Sequence, residues 1–179
     1  MVDRLRRDAS GEIMPDIARW IATLASTEAS QRAEAAAELA QLGPQAAQAA
    51  VALTWACGDE SEEVRKWATQ GLEQLGPPRP VDVQQLINLL TDFNPEVAYW
   101  AATLLGRLGA GAASAVPALE RAIGYMPLTV RRRAAWALGE IGPSAAPALP
   151  ALQEAARSDD SHLAELASHA IHRISGQFV

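Results

Sequence analysis

Apolar side chains recur along this chain at helical spacing, and the whole pattern returns every 33 residues. Val64, Ala68, Leu72 and Leu75 set the offsets. They are repeated at Val97, Ala101, Leu105 and Leu108, at Val130, Ala134, Leu138 and Ile141, and at Leu163, Ala167, Ile171 and Ile174. Offsets of four, eight and eleven lie on one face of a helix, so each copy predicts an amphipathic helix A buried along that stripe. An earlier copy, Gln31 to Leu42, keeps Ala35 and Leu39 but opens on Gln31. Leu42-Gly43, Leu75-Gly76, Leu108-Gly109 and Ile141-Gly142 close successive copies, and Ile174-Ser175 closes the last. Glycine tolerates the left-handed conformation that stops helices, and Pro44, Pro77 and Pro143 follow it directly. Ser61, Asn94 and Asp160 stand where a side chain can cap the helix start, with Pro95 at a first helical position. Pro127, at the same point of another copy, cannot cap.

A second apolar pattern follows each stop, at Ala50, Val83, Val116 and Leu149, then at Leu53, Leu86, Leu119 and Leu152. This helix B is expected to begin near Ala113 and Ala146 in the later copies, so that Pro117 and Pro150 fall in a first turn that has no internal acceptors. Pro15 to Ser26 matches helix B without an A before it, and Ser161 to Ile174 is an A without a B after it. The expected order is therefore B, four A-B pairs, then A: about ten helices, with a single repeat domain at 13–175 between tails at 1–12 and 176–179. A strict period of this length is the mark of an all-α solenoid, in which each unit buries its face against its neighbours.

The unit resembles the HEAT-like repeat of the phycobilisome-lyase type, D-x-x-P-E-V-R-x-x-A-A-x-A-L-G-x-I-G followed by a Pro-Ala-Leu helix. The matching segments are DFNPEVAYWAATLLGRLG from Asp92, DESEEVRKWATQGLEQLG from Asp59 and VRRRAAWALGEIG from Val130. The resemblance covers Pro15 to Ile174 and implies a right-handed alpha-alpha superhelix of the HEAT and armadillo kind. It also implies that an Asp ending one B helix pairs with an Arg six residues on. Only Asp59 with Arg65 keeps both residues here, so Ala and Leu packing is expected to carry the stacking.

Composition narrows the function. Apolar residues make up 49%, aromatics only 5%, and the formal net charge is -6. Nucleic-acid binding draws its affinity from Lys and Arg on phosphates, so that charge argues against DNA or RNA as a partner. The one cysteine, Cys57, offers no disulfide and falls in the apolar row of helix B. Met1 to Gly11 has Arg4, Arg6 and Arg7 but no apolar run behind them, and no stretch of 18 apolar residues occurs. The expectation is a cytoplasmic protein with no membrane segment.

In a solenoid the stripes hold shape, and binding falls to the residues outside them. HEAT-like arrays line their concave face with helix B, where Trp55, Gln84, Asn88, Arg121 and Glu154 point away from the core. Trp and Arg are the common anchors of interfaces, which makes this set the expected partner site for a protein or peptide. A second aromatic set, Trp67, Tyr99, Trp100 and Trp136, borders the stripe of helix A. It is expected to shield Ala-rich seams, or, if exposed, to support weak self-association. The Arg131-Arg132-Arg133 run fans over several helix faces and reads as a solvated helix start.

His162, Glu165, His169 and His172 share the outer face of the last helix, and their spacings of three, four and seven make them the one candidate metal set. The expectation is nevertheless no metal and no cofactor, since a terminal helix carries a polar outer face in any case. HEAT-like hydroxylases hold iron with His-Glu dipeptides, and none occurs here. Alkylpurine DNA glycosylases and bilin lyases of this fold remain the enzymatic alternative. The expected function is a non-catalytic protein-interaction scaffold.

Overall fold

The computed structural model describes residues 16–176. The proposed tail at 1–12, Pro15 and the last three residues of the proposed C-terminal tail lie outside that range. Ten α-helices occur among the described residues: α1 (Ile17–Thr23), α2 (Ala29–Leu42), α3 (Ala50–Ala56), α4 (Glu62–Gln74), α5 (Val83–Leu89), α6 (Pro95–Arg107), α7 (Val116–Tyr125), α8 (Leu128–Ile141), α9 (Leu149–Ala155) and α10 (Ser161–Ser175). The even-numbered helices form the A row and the odd-numbered ones the B row. Together they make the helical solenoid that the repeat predicts.

The A stripe is the core. Val64, Ala68, Leu72, Leu105, Ala134, Leu138, Leu163 and Ala167 are all fully buried, as are Leu53, Leu86, Leu119 and Leu152 of the B row. The stop signals act as expected. Gly43, Gly76, Gly109, Gly142 and Gly176 all have positive φ, a region that costs an L-residue with a Cβ but not glycine. Asn94 Oδ1 accepts the Glu96 N–H at 2.9 Å and Asp160 Oδ1 accepts that of Leu163 at 2.7 Å. Ser61 makes no such bond; its own N–H is instead held by Asp59 at 2.8 Å.

Two expectations are corrected. The B helices start later than the Pro positions suggest, because seven residues of 3-10 helix precede them at Gly43–Ala49, Gly109–Ala115 and Gly142–Ala148. The tighter i to i+3 winding is common at helix ends and as a connector. The second correction concerns the polar tie. Asp59 pairs with Arg32 of the previous repeat, Nε to Oδ2 at 2.8 Å and Nη2 to Oδ1 at 2.9 Å. Arg65 donates instead to the carbonyls of Asp59 and Glu60, at 2.8 and 2.9 Å. Arginines in fact cross every A-row seam. Arg107 Nη1 donates to the Leu72 carbonyl at 2.5 Å, Arg133 to the Tyr99 hydroxyl, Arg132 to Asp160, and Arg173 to the Gly139 carbonyl at 2.9 Å and to Glu140 at 3.0 Å.

One seam is unlike the others. The backbones of α2 and α4, α6 and α8, and α8 and α10 lie in close contact; α4 and α6 do not, and α3 reaches across to α6. Small residues let helices approach. A Cβ on Gly71 would lie 3.4 Å from Cα of Ala40, and one on Gly139 would lie 3.1 Å from that of Ala170. At the equivalent repeat positions the α4–α6 seam carries Glu73 and Leu104. The link after α4 also differs, since Pro77, Pro78 and Pro80 leave room only for a three-residue 3-10 turn, Pro80–Asp82.

Candidate functional site

Three consecutive B helices, α1, α3 and α5, border one open hollow of about 730 Å³. Its apolar lining includes Ile21, Leu24, Val51, Leu89 and the ring of Trp55, which is 63% exposed. Two arginines stiffen the rim. Arg32, itself buried, holds Asp59 and Glu60 and donates to the carbonyls of Ser26 and Thr27 at 3.0 and 3.1 Å. Burial alone would raise the Asp59 carboxyl, but the Arg32 guanidinium and the Ser61 N–H bring it below the ordinary value. Arg79 grips buried Asp82, Nη2 to Oδ1 at 2.8 Å and Nε to Oδ2 at 3.1 Å.

A second cleft, about 670 Å³, lies further along the same row between α7 and α9. Arg121, Tyr125, Glu154 and Arg157 line it, with Arg131 from α8. The Arg131 side chain is fixed there by donating Nε to the Ile123 carbonyl at 2.7 Å, so this member of the Arg run is a structural brace.

The expected partner residues divide between these clefts. Trp55 lies in the first; Arg121 and Glu154 lie in the second. Gln84 and Asn88 line neither, but both are exposed on α5 between them, with Gln84 Nε2 donating to Asn88 Oδ1 at 3.3 Å. Gln85, rather than Gln84, faces the first hollow. Sequence reasoning missed Tyr125, which is 89% exposed. Its signal was present: Tyr125 stands where the repeat carries an Asp, and a large aromatic in a polar slot points to a surface role.

The second aromatic set does not form one exposed apolar patch. Trp100 is buried, packed edge-on against Tyr99 with ring centroids 5.6 Å apart, and Trp67, Tyr99 and Trp136 are half-buried. Cations cover the rings: Lys66 on Trp67, Arg107 on Trp100, and Arg133 on both Tyr99 and Trp136. The condition for self-association through these rings is therefore not met.

The weak candidate metal set is not gathered into one site. No group of three or more His, Cys, Asp or Glu side chains among the described residues is placed to hold a metal ion. His162, Glu165, His169 and His172 are all exposed on α10. Cys57 is buried, with its sulfur 3.8 Å from Thr69 Oγ1, and burial pushes the thiol up to about 12. A thiol so protonated is no nucleophile. Among the described residues no helix is long and apolar enough to cross a membrane.

The family described as HEAT repeats matches residues 83–171. No curated protein matches the chain. Among solved structures, the complex of CpcE and CpcF of phycocyanin lyase from Nostoc sp. PCC7120 is 24% identical, with a TM-score of 0.66 over 99% of this chain and 71% of that one. A designed armadillo repeat protein in complex with the peptide (KR)4 is 18% identical, with a TM-score of 0.63 over 88% and 81%. An engineered protein is 21% identical, with a TM-score of 0.64 over 90% and 82%. At these identities the likeness is one of fold.

Proposed function

We propose that this chain, a helical solenoid whose residues 83–171 match the HEAT-repeat family, is a non-catalytic interaction module that takes an extended peptide segment along its B row. The observation that carries this reading is Trp55, a largely exposed indole over an apolar hollow whose rim is already fixed by ion pairs. A tryptophan presented in this way costs little further ordering when it packs on a partner, which is how interface anchors gain their weight. Trp55 and Arg121 occupy the same repeat position two units apart. Gln84, Gln85 and Asn88 lie between them and supply amide donors and acceptors for a peptide backbone. Glu60 gives the first cleft a surplus of negative charge, whereas Arg121, Arg131 and Arg157 outnumber Glu120 and Glu154 in the second. The bound segment therefore carries an apolar anchor near a basic residue at one end and an acidic residue toward the other.

Selection from a random peptide display library tests this. Enriched sequences should share the anchor and the charge order, and should weaken at least about tenfold against Trp55→Ala. Failure to enrich any sequence over the Trp55→Ala control would remove the proposed site.

A second reading is favoured by one observation: the hollow is as large as the sites that hold small organic ligands, and one neighbour of similar fold is a phycocyanin lyase complex. Under that reading the chain belongs to a lyase and handles an open-chain tetrapyrrole. A bilin whose absorbance shifts on titration with the protein, and does not shift with Trp55→Ala, would favour the lyase over the peptide module.

A further inference from the structure

A narrower cleft of about 230 Å³ crosses the A row where α6, α8 and α10 stack. Its polar lining is Arg132, Arg133, His162, Thr129 and Tyr99, and no carboxylate lines it. On a chain of net charge -6, a cleft whose lining carries two arginines and no carboxylate stands out, with Asp160 beside it paired to Arg132. Arg132 is committed to Asp160, with Nε donating to Oδ1 at 2.9 Å. Arg133 is not so committed. Its guanidinium lies 4.6 Å from the Tyr99 ring centroid and 5.1 Å from that of Trp136, and it donates to the Tyr99 hydroxyl. It makes no ion pair with any Asp or Glu among the described residues.

A guanidinium carries five N–H donors, and Arg133 uses one group of them on protein. The uncompensated charge is felt nearby: Arg107, stacked on Trp100, has its pKa lowered first by burial and then by the charge of Arg133. Two ring contacts and the bond to the Tyr99 hydroxyl restrain Arg133 before any ligand arrives, so less side-chain freedom remains to be lost on binding.

We propose that this cleft binds a phosphomonoester, its phosphoryl oxygens on Arg133, His162 and Thr129 and its organic group against Tyr99, Trp136 and Leu166. A phosphomonoester brings close to two negative charges and three acceptor oxygens. The planar fork of an arginine matches two of those oxygens at once, and donors from α8 and α10 remain for the third. The flat apolar walls favour a ring or a short chain over bare inorganic phosphate. The ester is either a free small molecule or a phosphorylated side chain of a peptide; the chemistry recognised is the same.

Isothermal titration calorimetry on the full chain, with phenyl phosphate, inorganic phosphate, phenylacetate and a blocked phosphotyrosine peptide, tests this. Phenyl phosphate should bind more tightly than both inorganic phosphate and phenylacetate. Arg133→Gln should weaken it by about tenfold or more. His162→Glu should do the same from an exposed position that no buried contact depends on, and it decides the matter if Arg133→Gln does not fold. A peptide that binds more tightly than phenyl phosphate identifies a polypeptide source, and a weaker one a small molecule; both support the site. Trp55→Ala should leave phenyl phosphate binding unchanged, which keeps this inference separate from the B-row reading. No binding of phenyl phosphate, equal binding of phenylacetate, or unchanged affinity in His162→Glu overturns it.

Discussion

A methyl group at Gly106 would lie 2.4 Å from Cζ3 of Trp136 and 2.9 Å from its Cε3. The ring cannot swing away freely, since Arg133 lies on its face. Gly106→Ala should therefore destabilise the protein by about 1–3 kcal/mol, the usual cost of overpacking. Gly124, near the end of α7, has nothing within 4 Å of its would-be Cβ and no positive φ. Gly124→Ala should raise stability by about 0.4–1 kcal/mol by restricting the unfolded chain. Urea denaturation of the two variants checks both signs; equal midpoints would contradict the placement of Trp136. At this scale the sequence is informative about which side a residue faces. The register put Cys57 in the core and Trp55 outside it, and both are found there. The register is less informative about partners. Arg32 reaches Asp59, 27 residues on, because a long flexible side chain selects its acceptor in space, and a repeat pattern specifies only where its Cα begins.

Among the elements, α10 depends most visibly on one side chain. Asp160 caps its first turn through the Leu163 N–H and also receives the Arg132 guanidinium of α8. Those bonds, the Arg132 pairing first, hold its carboxyl down at about 2 against an ordinary 3.8. A carboxyl with a depressed folded-state pKa contributes stability above its unfolded value and loses it as pH falls through the folded one. The contribution is thus intact at neutral pH and disappears between about 4 and about 2. Asp160→Asn should lower the urea midpoint at pH 7 and lose most of that difference by pH 2, with exposed Asp159→Asn as the control. A gap that persists undiminished at pH 2 would show that the charge is not what matters. The cap was legible, since Asp before an apolar helix pattern is a start signal. The 3-10 lead-ins were not, because alanine, glycine and proline in a short run satisfy either winding until tertiary packing selects one.

On the scale of the whole array, stability is a sum of unit and interface terms, so the weakest interface sets where it parts. Glu73 and Leu104 stand where the neighbouring seams have Ala40 with Gly71, or Gly139 with Ala170. That substitution of large for small residues is readable in the sequence, and it keeps α4 and α6 apart. The gap is bridged by side chains: Trp100 is buried near it, and Arg107, stacked on Trp100, donates to the Leu72 carbonyl at 2.5 Å. Backbone packing at close range cannot be replaced fully by a few long side chains, which carry more entropy to lose. Native-state hydrogen exchange in low urea should then show α1 to α5 opening at a lower denaturant concentration than α6 to α10, as two units rather than one. Arg107→Ala removes the bridge and should lower the opening free energy of the first unit while leaving the amides of α8 and α10 as protected as before. Exchange that rises uniformly along the chain, in the wild type and in Arg107→Ala alike, would mean that the contact of α3 with α6 is sufficient to couple the two halves.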